Sequence, residues 1–150
     1  MSSLFSGAII GCKNKGFLPV IPDVKNYSPG EGDLLRGRDP VDEARRLAAA
    51  GAPALSVVTE EEHFGGSLKL LEKVAKATGL PVLRKDFIKT EEDLRKSREH
   101  GAEAVLLICA GNTFLQITRL YDAALKLDIE PLVETHTMEE LLWVGRLGAK

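Results

Sequence analysis

Short apolar runs alternate with amphipathic segments along the chain, and this alternation constrains the fold more than any other feature of the sequence. Five runs are rich in β-branched residues and nearly continuously apolar. They span residues 18–24, 54–59, 81–87, 104–109 and 131–136. Continuous apolar strands are covered on both faces, as in parallel sheets. The sequence therefore predicts five buried parallel strands.

Helical segments fill the intervals between these runs. Asp39 and Pro40 form a typical helix start, and Thr90 followed by three acidic residues forms another. Gly51 and Gly79 are suited to end helices just before the next strand. The sequence predicts five helices, over about residues 40–50, 67–78, 90–100, 113–127 and from 137 onward.

This order of elements permits an open doubly wound sheet or a closed (β/α)₈ barrel. A dinucleotide-binding sheet would carry G-x-G-x-x-G after its first strand, but residues 30–32 (GEG) lack the third glycine in its place. We therefore predict an α/β fold of the (β/α)₈ TIM-barrel family, here an incomplete barrel of about five βα units. Residues 1–17 are expected to form an N-terminal extension, which is either a helix that covers the barrel or a loose tail, and residues 18–150 are expected to form strands 1–5 and helices 1–5. A Gly-Ala junction that precedes two strands recurs at residues 148–149, so we expect a sixth strand to follow.

Composition argues against several classes of function. The chain has 20 Lys and Arg against 22 Asp and Glu, a net charge of -2, which gives no basic excess for binding nucleic acid or an anionic membrane. Its apolar runs are shorter than a membrane span, and its first residues lack the pattern of a secretory signal. We expect a cytoplasmic protein. Cys12 and Cys109 match no metal-binding spacing, so we expect reduced thiols and no metal.

Charged residues lie at the carboxyl ends of three predicted strands, where α/β folds place their active sites. They are Asp23 and Lys25, Lys85, and Glu134. Strand alternation turns Arg84 and Asp86 toward the helices and Lys85 toward the mouth of the barrel. If Lys25 and Lys85 lie close together and partly shielded from water, repulsion between their ammonium groups makes one of them able to donate a proton near neutral pH. The alternative is a structural network that pairs Asp23 with Lys25 and Lys85 with Glu134.

Six sequence blocks, in order and at matching spacing, resemble one enzyme family. The blocks are residues 19–29 (PVIPDVKNYSP), 55–60 (LSVVTE), 64–67 (FGGS), 81–88 (PVLRKDFI), 101–108 (GAEAVLLI) and 132–134 (LVE). Together they resemble the indole-3-glycerol phosphate synthases of tryptophan biosynthesis over about residues 18–150.

The resemblance implies a carboxy-lyase that needs no cofactor. Such an enzyme closes the ring of 1-(2-carboxyphenylamino)-1-deoxyribulose 5-phosphate to give indole-3-glycerol phosphate, with loss of carbon dioxide and water. By resemblance, Lys85 is the acid that polarises the substrate carbonyl and Glu134 the base for the dehydration. The resemblance also implies that Lys25 and Asp23 belong to the catalytic group. The same resemblance implies that the substrate-binding residues are Ser28, Pro29, Phe64, Phe87 and Leu106.

The sequence departs from the family pattern in two ways. Asp23 stands where the family has glutamate, and Pro22 removes a hydrogen-bond donor from a strand expected to be internal. The resemblance also implies contributions from strands six to eight, including phosphate loops, and we expect no counterpart of these within residues 1–150.

This leaves two readings of the chain open. It is either a form of the synthase or an inactive truncated or split barrel, acting as a folded module or needing a complementing half. We expect self-association through unpaired strand edges and through an exposed apolar inner face, formed by residues such as Val20, Leu55, Val57 and Leu83 or by their neighbours along the strands.

Overall fold

The computed structural model describes residues 4–149, in which strands and helices alternate as the sequence predicts. The helices are α1 Leu4–Asn14, α2 Pro40–Ala49, α3 Leu68–Thr78, α4 Glu91–Glu99, α5 Phe114–Lys126 and α6 Met138–Leu147. The strands are β1 Asp23–Val24, β2 Tyr27–Ser28, β3 Gly32–Asp33, β4 Leu55–Val58, β5 Val82–Lys85, β6 Ala104–Ile108 and β7 Glu130–Glu134. In the described part of the chain, no helix is both long and apolar enough to cross a membrane.

Five strands form one parallel sheet in the order β1-β4-β5-β6-β7. Within this sheet, each strand pairs with the next one along the chain. The β2–β3 hairpin lies between β1 and β4 in sequence and forms a separate two-stranded sheet, which the sequence did not predict. A doubly wound sheet would reverse its strand order at a switch point, whereas a barrel winds in one direction. The predicted incomplete barrel of about five βα units is therefore confirmed.

One face of the sheet packs against the helices, and the other faces the interior of the incomplete barrel. Leu55 and Val57 are fully buried in a core cluster with residues of α2 and α3. The expectation is thus wrong for Leu55 and Val57 themselves, and their neighbours along β4 face the interior instead. Asp23 pairs in register with Ser56, so these two residues share one face of the sheet. Leu55 and Val57, on either side of Ser56, therefore point to the opposite face.

Helix α1 covers the amino-terminal part of the inner face. Phe5 is 3% exposed and packs in one cluster with Leu83 and Ala104, and the Ser6 backbone N–H donates to a Glu130 carboxylate oxygen at 2.9 Å. Leu83 is consequently 4% exposed. The predicted exposed apolar inner face is therefore wrong at Leu83, because a helix that the periodicity did not reveal packs on it.

The first strand is much shorter than the apolar run that predicted it. Only Asp23 and Val24 pair as a strand, and Leu18 and Val20 are 83% and 56% exposed. Prolines 19 and 22 carry no backbone N–H and cannot donate to a neighbouring strand. Pro22 still contributes its carbonyl, which accepts from the Ser56 N–H at 3.0 Å.

Candidate active site

A cleft of about 230 Å³ opens where the carboxyl ends of the strands meet. Its walls are largely apolar and its rim carries charged groups. The lining residues are Lys25, Val58, Glu60, Phe64, Lys85, Asp86, Phe87, Leu106, Ile108 and Glu134. Six of the nine predicted site residues therefore line one cleft, and the other three, Asp23, Ser28 and Pro29, lie outside its lining.

Lys85 ends β5 and forms an ion pair with Asp23. The distance from Lys85 Nζ to Asp23 Oδ2 is 2.9 Å, and both side chains are more than a third exposed. Solvent screening means that such a pair contributes little to stability, but the contact shows where the ammonium group lies. The aspartate is thus long enough to reach Lys85, although it is one methylene shorter than glutamate.

The pairing differs from the structural network that the sequence left open. That alternative joined Asp23 to Lys25 and Lys85 to Glu134. Instead, Asp23 contacts Lys85, and a Glu134 carboxylate oxygen lies 2.8 Å from the His136 ring Nε2. Lys85 and Glu134 share the cleft without a bond between them in the described structure, so their positions suit separate roles.

Lys25 lies over the ring of Phe64. Its Nζ is 4.6 Å from the ring centroid and 3.5 Å from the Ser28 hydroxyl oxygen. The contact with the aromatic face holds the cation at the cleft without neutralising its charge. Ser28 belongs to the β2–β3 hairpin, in which its carbonyl accepts from the Glu31 N–H, and Pro29 is exposed in the same turn. Lys25 is therefore available to an anionic ligand.

The loop of residues 60–66 holds Phe64 in place through Glu60, a lining residue that the sequence analysis did not single out. One Glu60 carboxylate oxygen accepts from the backbone N–H groups of His63 and Phe64 at 2.8 and 3.1 Å. The other lies 3.0 Å from His63 Nδ1. The hydrogen bond with His63 lowers the pKa of Glu60, and the same bond, with the charge of Glu60, raises the pKa of His63.

Gly66 explains why this loop lies so close to the sheet. A Cβ atom at this position would lie 2.3 Å from the Val58 carbonyl oxygen, so only glycine fits. The 64–67 block (FGGS) was therefore the available signal for a loop packed on a strand end.

The cleft also contains Asp86, which the sequence placed on the helix side of β5 with Arg84. The two side chains pair there at 2.7 Å, yet Asp86 also reaches the cleft lining. Val58 and Ile108 complete the residues missed by sequence reasoning. Each lies directly opposite a predicted residue of the neighbouring strand, since Val58 pairs with Lys85 and Ile108 with Glu134.

Among residues 4–149, one group of side chains has the ligand types and spacing to be considered for a metal. Ligand atoms of Glu60, Glu62 and His63 lie within 4.8 Å of one another. The Glu60 carboxylate oxygens, however, already accept the hydrogen bonds that order the loop. This donor set is accounted for by loop structure, and we assign no metal to it.

Comparison with solved structures places the fold among barrels. A mandelate oxidase variant with benzaldehyde superposes with a TM-score of 0.63 over 98% of this chain and 50% of the other, at 19% identity. Mandelate oxidase with 3,3-difluoro-2-hydroxy-3-phenylpropionic acid gives a TM-score of 0.62 at the same coverage and identity. At this identity the likeness establishes the fold alone.

Sequence relatives are far more similar. The indole-3-glycerol phosphate synthase of Listeria monocytogenes (strain EGD-e) is 42% identical over 137 residues, which cover 91% of this chain and 54% of the relative. That of Pyrococcus abyssi is 45% identical over 126 residues, covering 82% and 53%. The chain therefore spans about half the length of these relatives. The family model described as indole-3-glycerol phosphate synthase matches residues 6–150. With this match over nearly the whole sequence, and with relatives of more than 40% identity, the chain belongs to the indole-3-glycerol phosphate synthase family.

Proposed function

We propose that this chain supplies the first five βα units of an indole-3-glycerol phosphate synthase. The observation that carries the proposal is the common cleft of Lys85, Glu134 and Lys25 between apolar walls that include Phe64 and Phe87. A substrate with an aromatic ring and anionic groups needs apolar walls around the ring and cationic side chains near the anionic groups. The substrate proposed is the small phosphorylated molecule 1-(2-carboxyphenylamino)-1-deoxyribulose 5-phosphate.

The proposed chemistry divides between two side chains. The ring carbon that bears the carboxylate attacks the substrate carbonyl carbon, and Lys85 donates a proton to the carbonyl oxygen as this bond forms. The bond to the carboxylate then breaks, carbon dioxide leaves, and the electron pair returns to the ring. Glu134 acts as the base in the following loss of water. No cofactor is required, because each step moves only electron pairs of the substrate and protons that the substrate exchanges with the two side chains.

The neighbouring residues have supporting roles in this proposal. Asp23 holds the Lys85 ammonium at 2.9 Å, and Lys25 on the Phe64 ring meets an anionic group of the substrate. Phe87 is 56% exposed and Leu106 5% exposed at the cleft, which supports contact with the substrate ring. Ser28 and Pro29 are kept as proposed substrate-binding residues because the Ser28 hydroxyl oxygen lies 3.5 Å from Lys25 Nζ and Pro29 follows in the same turn. The division of the chain at residues 17 and 18 and a cytoplasmic location stay predictions.

The proposed partner is a segment that supplies strands six to eight. The edge strands β1 and β7 each pair on one side within the described residues, so each offers backbone groups to a further strand. We infer that turnover requires such a segment, and that without it the chain associates with itself. The alternative function is a folded module without catalysis.

The test is a turnover assay with light scattering, on the chain alone and after addition of a fragment carrying strands six to eight of a relative. We expect turnover only in the mixture, and Lys85→Ala to lower it about 10²- to 10⁴-fold, as for a lost general acid. Lys89→Ala, at an exposed lysine four residues away, is the matched control. Equal turnover of Lys85→Ala and wild type would refute the assignment. Absence of turnover in every mixture would favour the non-enzymatic module.

A further inference from the structure

We propose that Arg84, Asp86 and Thr59 form a positioning network that directs Lys85 into the cleft and fixes the backbone of Phe87. We call these three residues the Arg84 network. The inference rests on the proposed function for the identity of the reaction, but its geometry is independent of that function.

Arg84 is the centre of the network. Its side chain is 8% exposed, and its guanidinium donates to four oxygen atoms. Nε donates to the Thr59 hydroxyl oxygen at 2.9 Å, and Nη2 to Asp86 Oδ2 at 2.7 Å. Nη1 donates to the Asp93 carbonyl and the Ser97 hydroxyl oxygen, both at 3.0 Å and both in α4. This planar fork joins the ends of β4 and β5 to α4, a geometry that lysine cannot reproduce.

Asp86 connects Arg84 to the loop that follows β5. The Thr59 hydroxyl donates to Asp86 Oδ2 at 2.6 Å, the oxygen that also accepts from Arg84. Asp86 Oδ1 accepts from the Phe87 backbone N–H at 2.8 Å. Oδ2 therefore binds the carboxylate to Arg84 and Thr59, and Oδ1 binds the Phe87 backbone to the carboxylate.

Lys85 lies between two residues whose side chains are fixed on the helix side of the sheet. Its carbonyl also accepts from the Thr59 N–H at 3.1 Å. Because successive residues of a strand point to opposite faces, fixing Arg84 and Asp86 on one side sends Lys85 to the other, where it meets Asp23. A fully hydrogen-bonded buried network is rigid, so it limits the directions that the Lys85 side chain can take.

The test compares Thr59→Val, which removes the hydroxyl, with Thr59→Ser, which keeps it. Purified chains are treated with pyridoxal 5′-phosphate and then borohydride, and labelling of each lysine is measured by peptide mass spectrometry. Lys73, exposed on α3, is the internal reference. We expect the labelling ratio of Lys85 to Lys73 to rise about tenfold in Thr59→Val, the factor expected for a lost hydrogen bond to a charged group, and to stay near wild type in Thr59→Ser. An unchanged or lower ratio in Thr59→Val would overturn the inference.

A second variant keeps the test decisive if Thr59→Val does not fold. Asp86→Asn preserves the size of the side chain but removes the charge that Arg84 meets, and it should raise the same ratio. Its matched control is Asp42→Asn, the same change at an exposed ion pair with Arg45, for which we expect no change. Equal ratios in these two variants would overturn the inference.

Turnover in the mixture with strands six to eight separates this inference from the proposed function. We expect Thr59→Val to lower kcat about 10- to 100-fold with little change in KM, because a slightly misplaced catalytic group costs about this much. A merely structural role would lower the melting temperature and leave kcat of the folded enzyme unchanged, which would overturn positioning. A raised labelling ratio without turnover in any mixture would support positioning and count against the proposed function.

Discussion

Replacing Phe5 by alanine should separate α1 from the barrel wall. Phe5 is 3% exposed and is the one buried residue of α1, where it packs against Leu83 and Ala104 on the inner face of the sheet. Phe17 lies just beyond the same helix and is 68% exposed. The chain therefore offers the same substitution at a buried and at an exposed phenylalanine within thirteen residues.

The expected loss follows from burial. Truncating a buried phenylalanine to alanine costs about 3–5 kcal/mol, including the cavity that is left. Because α1 can withdraw and let water reach the site, we expect the lower end, about 3 kcal/mol. For a chain of this length each kcal/mol lowers the melting temperature by about 2–4 °C, so the expected decrease is about 6–12 °C.

The assay is urea unfolding followed by circular dichroism, together with a thermal melt. Phe17→Ala should change the free energy of unfolding by no more than about 0.5 kcal/mol, as is usual for surface substitutions. Hydrogen exchange of the Leu83 amide reports whether α1 has left the inner face. If Phe5→Ala and Phe17→Ala had the same stability, the conclusion that α1 covers the barrel interior would be refuted.

Three further predictions concern titratable groups. The pKa of His63, raised above its ordinary 6.5 by the hydrogen bond and charge of Glu60, should return toward that value in Glu60→Gln when followed by NMR, and an unshifted titration would contradict the loop geometry. In wild type the His63–Glu60 interaction is present below the ordinary pKa and is lost as pH rises through the raised one. Burial works to raise the pKa of Asp93, but hydrogen bonds from Thr90 and neighbouring N–H groups and the charge of Arg84 lower it overall below 3.8. The stability difference between wild type and Asp93→Asn should therefore be complete above about pH 4 and shrink as pH falls further, and a difference constant down to pH 2 in acid unfolding would count against this. Burial and the charges of Glu140 and Glu134 raise the pKa of the Cys109 thiol, which is 1% exposed, so a disulfide reagent should modify the partly exposed Cys12 much faster, and equal rates would contradict the described burial.

Local sequence signals predicted the elements well because they act within a few residues. Side chains of Asp39, Ser67 and Thr90 accept hydrogen bonds from the first turns of α2, α3 and α4, as typical capping residues do. Gly79 ends α3 in the left-handed conformation, with φ of 64°. The apolar run of residues 18–24 failed as a strand predictor because its prolines at 19 and 22 limit pairing, and pairing depends on the neighbouring strand as much as on the run itself.

Part of the candidate site could likewise be predicted from local sequence, and part depended on the tertiary structure. Strand alternation and the position of charges at strand ends were enough to send Lys85 and Glu134 to one cleft, since both signals are carried by the chain itself. Which carboxylate contacts Lys85 was decided by register: β1 pairs with β4 and β4 with β5, and this brings Asp23 to Lys85 across 62 residues. The packing of Phe5 on the inner face was likewise decided only by the tertiary structure. Such contacts depend on distances summed over several packed elements, and a periodic pattern within one element carries no information about them.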